Sequence, residues 1–398
     1  MRVQTDFECG GAKRITRLGE RHWRLETTGD SSGYTKYFCV RITPEPHEKG
    51  SIQRMDVYPD ADLGEKGARY FRSHFPSDLW CSRGGWDRWL PFRESAGNSV
   101  LFHGDWFEAH VAVGSETELY FATHPPLRYS DLVAWTKALE KKHGPRLKVC
   151  ALGVSAEGRE IPLVYVPGKG RGRPRFLVMA GQHPAEHSGC RASQGIVEYL
   201  LSSLAEAREI AEHLDFAVIP MMNPDGNVRG LSGANAEDID LAEEFSGVAQ
   251  GAPLRATENR LFWQWLRSEF PPDLMLDLHS GHGSAAHSAP VYDGAALFVR
   301  DAEKLYADPR RVAAYRAIQD RFCFDIPACA APGQALSEKF VEYQAAAAFG
   351  TLPVLYHVNA SMTGMQEQFR RGPQLLLAMA KALLRDTDFS IFDARSRP

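Results

Sequence analysis

The chain has 398 residues, 44% of them apolar and 24% charged, with a formal net charge of −4. That composition suits a folded protein with a sizeable core, in two domains or in one large elaborated domain, and excludes a disordered chain. The near-neutral balance, with no acidic or basic tail, excludes a nucleic-acid binder, which needs a basic face.

The first residues, MRVQTDFECGGAKRITRLGE, lack the apolar run of about 7–15 residues that marks a signal peptide. No later stretch reaches the ~18 apolar residues of a membrane span. The expectation is a cytoplasmic protein without a membrane partner. Seven cysteines stand at Cys9, Cys39, Cys81, Cys150, Cys190, Cys323 and Cys329, with no CxxC pair. This argues against a disulfide framework and against a cysteine-held metal. Each reads as a small buried side chain. Any metal here is expected on histidine and carboxylate.

Residues 1–123 read as β-rich. Short apolar and aromatic runs recur between turn residues, at Tyr37 to Ile42, Val100 to Phe102 and Trp106 to Val113. Strands this closely spaced predict a small antiparallel β-sandwich. At His124-Pro125-Pro126 the character changes. Ser130 and Asp131 predict the N-cap and first turn of a helix to about Lys142. Strand and helix signals then alternate. Ile161 to Val166, Phe176 to Ala180, Phe216 to Pro220, Leu274 to Leu278 and Leu352 to Val358 read as strands. Ser188 to Ala207, Glu258 to Phe270 and Pro373 to Arg385 read as helices, the last with proline in its first turn. The basic run Gly168 to Pro174 reads as a solvated hairpin turn. Residues 124–398 are thus expected to form an α/β domain, with a mixed, mainly parallel sheet covered by helices.

In such sheets chemistry gathers at the carboxyl ends of the strands. Two predicted strands end in polar segments that carry histidine. FLVMAGQHPAEHSG places His183 and Glu186 just past one, and DLMLDLHSGHG places His279 at the end of the other. A His₂Glu set is what catalytic zinc favours, since three protein ligands leave a fourth position open. His-x-x-Glu alone is a weak signal, expected about once by chance in a chain with this many histidines. A strand-terminal histidine on a second strand strengthens it. His187, His282 and His287 lie nearby in sequence; each is open to being a substrate contact, a group behind a ligand or plain surface, and surface is the default reading.

With further motifs the chain resembles the zinc metallocarboxypeptidases, specifically the cytosolic carboxypeptidase subfamily. The motifs are YFATHPPLRYSDLVAW, LGVSAEGREIPLVYV, GQHPAEHSG, MMNPDGNVRG, LDLHSGHG and AFGTLPVLY. The resemblance implies a β-sandwich domain before a carboxypeptidase-like domain, and one Zn²⁺ per chain on His183, Glu186 and His279. It also implies that Asp240, seventeen residues after Asn223, supports the zinc ligand His183.

Other family positions depart from the pattern. Where the family grips a substrate's C-terminal carboxylate with Asn-Arg, this chain has Ala242 and Glu243. A carboxylate there repels what a guanidinium fork binds. Glu243 instead suggests an acidic subsite, with Glu244 beside it. The family's oxyanion arginine falls on Gly233, with Arg229 four residues upstream as a replacement candidate. The family's catalytic glutamate falls on His357, seven residues after Gly350. An imidazole accepts a proton near neutral pH, and Glu367 is a substitute base to consider.

Three readings follow. One is a zinc hydrolase acting on peptide or amide bonds with altered preference. Another is a catalytically impaired zinc protein that serves in binding. The third is an ordinary carboxypeptidase. The expected partner is a peptide or protein C-terminus or a small amide, and the sequence does not specify an oligomeric state.

Overall fold

Alternating apolar and polar side chains build the N-terminal part of the chain. The computed structural model describes residues 1–75, 79–170, 172–281, 294–326, 335–360, 363–386 and 389–392. Among the described residues ten strands come first: β1 (Arg2–Gln4), β2 (Arg14–Gly19), β3 (His22–Glu26), β4 (Cys39–Thr43), β5 (Ile52–Tyr58), β6 (Trp80–Arg83), β7 (Trp89–Pro91), β8 (Ser99–Phe102), β9 (Phe107–Ala112) and β10 (Leu119–Ala122). They form two five-stranded sheets, ordered β1-β4-β10-β6-β7 and β2-β3-β5-β9-β8. Phe107, Ala109 and Val111 on β9 face inward at every second position, as strand geometry requires. They pack with Met55 and Val57 of their own sheet against Phe38, Val40 and Phe121 of the other, so the core lies between the sheets. Pairing is antiparallel except for β3 with β5. The chain leaves the sheet after β3, passes through β4 in the other, and re-enters in the same direction. A parallel pair needs such a crossover.

The second half is built on a seven-stranded sheet. Its strands are β11 (Lys148–Val154), β12 (Glu160–Val166), β13 (Arg175–Ala180), β14 (Asp215–Ile219), β15 (Leu274–Gly281), β16 (Gly294–Leu297) and β17 (Leu352–Asn359), in the order β11-β12-β14-β13-β15-β17-β16. The central strands β14, β13, β15 and β17 are parallel, and the flanking ones run antiparallel. Burial on both faces explains the nearly continuous apolar runs of β13 and β15. Phe176, Val178 and Ala180 face one helical layer, while Leu177 and Met179 face the other.

The helices are α1 (Gly64–His74), α2 (Tyr129–His143), α3 (His187–Leu200), α4 (Ala205–His213), α5 (Pro224–Arg229), α6 (Thr257–Ser268), α7 (Ala302–Leu305), α8 (Pro309–Asp325), α9 (Val341–Phe349) and α10 (Met365–Asp386). No helix among the described residues is long and apolar enough to cross a membrane.

Several local expectations change. Ser130 lies inside α2 and does not cap it. The Glu8 carboxylate does, accepting from the Ser130 N–H at 2.7 Å and its hydroxyl at 2.6 Å. An acid suits a helix N-terminus, but this one comes from a distant segment. The helix expected over 188–207 is two, α3 and α4, parted by a Leu-Ser-Ser-Leu stretch whose serines favour a turn. Gly168 to Pro174 does not close a hairpin, because β12 pairs with β14 rather than β13. Pro373 lies within α10 and does not start it. Proline removes the bond to the Phe369 carbonyl, and that carbonyl abuts α3, where a Cβ on Gly195 would lie 1.9 Å from it. Gly372 meets the Ala192 carbonyl in the same way. Two glycines thus let α3 and α10 touch backbone to backbone. Finally, Cys323 is exposed and disulfide-bonded, against the expectation of reduced, buried thiols. That expectation rested on CxxC spacing, whereas pairing depends on proximity in space. Cys329 lies outside the described residues.

Candidate metal centre

Three side chains converge where β13 and β15 end. His183 follows β13, Glu186 is the N-cap residue of α3, and His279 lies on β15. They are 6%, 3% and 3% exposed. Their ligand atoms all lie within 4.8 Å of one another, close enough for one metal ion. His183 Nδ1 is 3.0 Å from Glu186 Oε1, and His279 Nδ1 is 2.9 Å from Glu186 Oε2. The Ser280 N–H donates to Glu186 Oε2 at 2.9 Å.

The outer nitrogens are held as well. His183 Nε2 lies 3.1 Å from Asp240 Oδ1, and His279 Nε2 lies 3.1 Å from Asp277 Oδ2. A carboxylate on Nε2–H fixes ring orientation and tautomer, and leaves Nδ1 for a metal. Asp240 is itself steadied by the Ala242 N–H at 3.0 Å. Beneath Asp277 lies Glu342, also fully buried. Burial pushes the Glu342 carboxyl well above its usual range, and the neighbouring Asp277 charge adds to this. This donor set of two imidazoles and a carboxylate, braced from behind, fits zinc.

The charges explain the proton affinities. Burial pulls the His183 imidazolium down, but Glu186 and Asp240 outweigh it and hold its pKa at about 9. His279 is likewise raised against burial, by Asp277 and then Glu186. Burial would raise Glu186, yet Lys36, His183 and His279 together hold it well below the usual carboxylate range. Each ring must shed its Nδ1 proton before a metal can take that lone pair. Zinc uptake at neutral pH is therefore expected to release protons, with affinity rising as pH climbs towards the His183 pKa of about 9. Calorimetry in two buffers of different ionisation enthalpy checks this, and a proton count near zero would contradict it. Asp240→Ala is expected to weaken zinc binding about 10–100-fold. Competition with a chromophoric chelator measures it, and unchanged affinity would remove Asp240 from this role.

Two further residues went unforeseen. Asp277 and His279 are two apart on one strand and so share a face, a signal present in DLMLDLH. Lys36, between β3 and β4, places its Nζ 2.6 Å from Glu186 Oε1 with both side chains buried. No local pattern announces a contact between residues so far apart in sequence.

The remaining candidates divide. His357 on β17 stands directly opposite His279, with ring centroids 5.5 Å apart. Burial, and then the His279 charge, pull its pKa down to about 4. Arg229, Glu243 and Glu367 are engaged elsewhere. Arg229 pairs with Glu157. Glu243 is exposed and meets Lys339 at 2.5 Å. Glu244 accepts from the Ala256 backbone N–H and from the Asn259 side-chain amide, at the start of α6. Glu367 lies on α10, 3.8 Å from Arg371. Gly233 donates its N–H to Asp30 at 2.7 Å, and a Cβ on it would lie 2.3 Å from Ser32 Oγ and 2.4 Å from Tyr34 Cδ2. A side chain there would require Ser32 and Tyr34 to shift. His187 is buried and meets His124 at 2.9 Å. His282 and His287 lie outside the described residues.

Residues 132–313 match the family model of the zinc carboxypeptidases. Within it, the curated similarity is to cytosolic carboxypeptidases. Cytosolic carboxypeptidase 1 of Homo sapiens is 29% identical over 275 residues, which is 62% of this chain and 22% of the relative. The same protein of Gallus gallus is 31% identical over 140 residues, or 32% of this chain and 11% of the relative. The chain therefore spans about a fifth or less of the length of these relatives. Among solved structures, a metallo-carboxypeptidase from Burkholderia cenocepacia superposes with a TM-score of 0.78 at 17% identity, covering 96% of this chain and 98% of that one. At that identity the likeness shows the fold, and it extends over both halves of the chain.

Proposed function

We propose that this protein is a zinc-dependent hydrolase of the metallocarboxypeptidase type, acting on peptide or amide bonds with an altered set of groups around the metal. The observation that carries the proposal is the convergence of two imidazole Nδ1 atoms on one buried carboxylate, with carboxylates behind both rings. His183, Glu186 and His279 would hold one zinc ion per chain. Bound there, zinc supplies Lewis acidity and lowers the pKa of water. Asp240 and Asp277 keep the rings aimed. His357 takes the position of the general base, and its lowered basicity makes it a weak one.

Ala242 is buried and Glu243 turns to Lys339, so neither offers a fork for a terminal carboxylate. Substrates are therefore expected to include peptides or small amides without a free C-terminus, alongside peptide or protein C-termini. We assign the sandwich to residues 1–123 and the hydrolase domain to 124–398. The relatives are called cytosolic, and we propose the cytoplasm for this chain too.

The test is to measure zinc content and then turnover on matched peptides with free and with amidated C-termini. Zinc at one per chain with turnover of both supports the proposal. A strict requirement for the free carboxylate would overturn the altered preference. A second reading, an impaired peptidase retained for binding, is favoured by the weak base at His357 and the blocked position at Gly233. General base and oxyanion stabilisation are each worth ~10²-fold or more in rate. Full zinc with no turnover on any peptide would select that reading.

A further inference from the structure

We infer that Lys36 sets the metal affinity of this centre, its ammonium competing with the metal cation for the Glu186 carboxylate. The inference rests on the zinc reading above.

Lys36 Nζ lies 2.6 Å from Glu186 Oε1, and the two side chains are 3% and 4% exposed. The same oxygen faces His183 Nδ1 at 3.0 Å. A metal shared by His183 and Glu186 would thus draw on an oxygen that already holds a buried cation. Two cations on one carboxylate repel each other, and burial leaves little water to screen them. An ammonium that loses a buried partner is itself costly to leave in place. Both effects weaken metal binding.

The cation is delivered by a fixed strap. Asp30 Oδ2 accepts three backbone N–H groups, from Ser232 at 3.0 Å, Gly233 at 2.7 Å and Ala234 at 3.1 Å. Ser31 bonds Asp238 through its N–H at 3.1 Å and its hydroxyl at 2.7 Å. Tyr34 sets its ring edge-on to His183, with centroids 5.1 Å apart. Gly233 leaves room for Ser32 and Tyr34, where any side chain would collide. The strap belongs to the sandwich half and reaches across to the metal ligands. Its lysine stands over a site whose own arginine positions hold Gly233 and Glu243.

Zinc affinity of the full chain is measured by chelator competition, after metal is stripped and returned. Lys36→Met, similar in length but uncharged, is expected to tighten the zinc dissociation constant about 10–100-fold, the order expected from removing one nearby like charge from a partly screened site. Lys36→Arg keeps the charge and is expected to stay within about threefold of wild type, well below that scale. Asp30→Ala loosens the strap without touching the ligands, and tightens zinc binding in the same direction by a smaller factor. If Lys36→Met does not fold, Asp30→Ala decides. Zinc affinity that is unchanged or weaker in folded Lys36→Met, or in Asp30→Ala when that variant decides, overturns the inference. If wild type and Glu186→Gln alike take up no zinc, the zinc reading itself has failed and takes this inference with it.

Discussion

Glu186→Ala is expected to leave the protein without zinc and about 3–5 kcal/mol less stable, the cost of stripping one partner from a buried ion pair. Glu186 is 3% exposed and meets Lys36, His183, His279 and the Ser280 N–H. The histidines can relieve the loss by giving up protons. The Lys36 ammonium is left buried without its carboxylate. Metal analysis after dialysis reads the first effect, and urea unfolding reads the second. The double variant Lys36→Met/Glu186→Ala is expected to regain much of the stability while staying free of zinc, since replacing a buried pair by apolar groups is often neutral. Zinc retained by Glu186→Ala at the wild-type level would sink the metal centre as drawn.

His357→Glu is expected to raise hydrolysis of simple peptide amides by about 10²-fold, the lower end of what a positioned general base supplies. His357 lies across from His279 on the neighbouring strand, so a carboxylate there enters the same face of the sheet. A nearby metal cation keeps a carboxylate ionised and ready to accept a proton, whereas it makes an imidazolium harder to form. Gly233, Ala242 and Glu243 are untouched by the change, so the gain should show no preference for a free C-terminus. The ratio of kcat/KM on free and amidated peptides measures both points. No gain in a folded, zinc-loaded variant would mean that the group at position 357 is not what limits this site.

Much of the α/β half was legible because its central strands are buried on both faces and therefore read as apolar runs. The edge strands β11 and β16 gave no such run and were not foreseen. Helix ends proved harder to place. Ser130 looked like a cap, yet Glu8 performs that task from far away in the chain. Pro373 looked like a start, yet α10 runs through it against a glycine of α3. At the site, His183, Glu186 and His279 stood out because polar residues at apolar strand ends are conspicuous. Asp277 carried the same period-two signal as His279 and was passed over. Lys36 and Tyr34 carried no signal, because their place depends on how the two halves dock. The acidic subsite suggested by Glu243 and Glu244 came from counting positions. Their actual partners, Lys339 and the start of α6, are tertiary and invisible to a count.

The glycine contact between α3 and α10 has a consequence for geometry at a distance. Glu186 stands at the N-terminal end of α3, while Gly195 lies further along the same rod, pressed on the Phe369 carbonyl. Helices bend little over such lengths. The separation between Glu186 on the helix and His279 on the sheet is thus set in part by a backbone contact remote from both. A metal site works only while its ligands stay within about 0.5 Å of their proper places. The cradle is therefore stiff by construction, and its calibration lies in two residues that have no side chain at all.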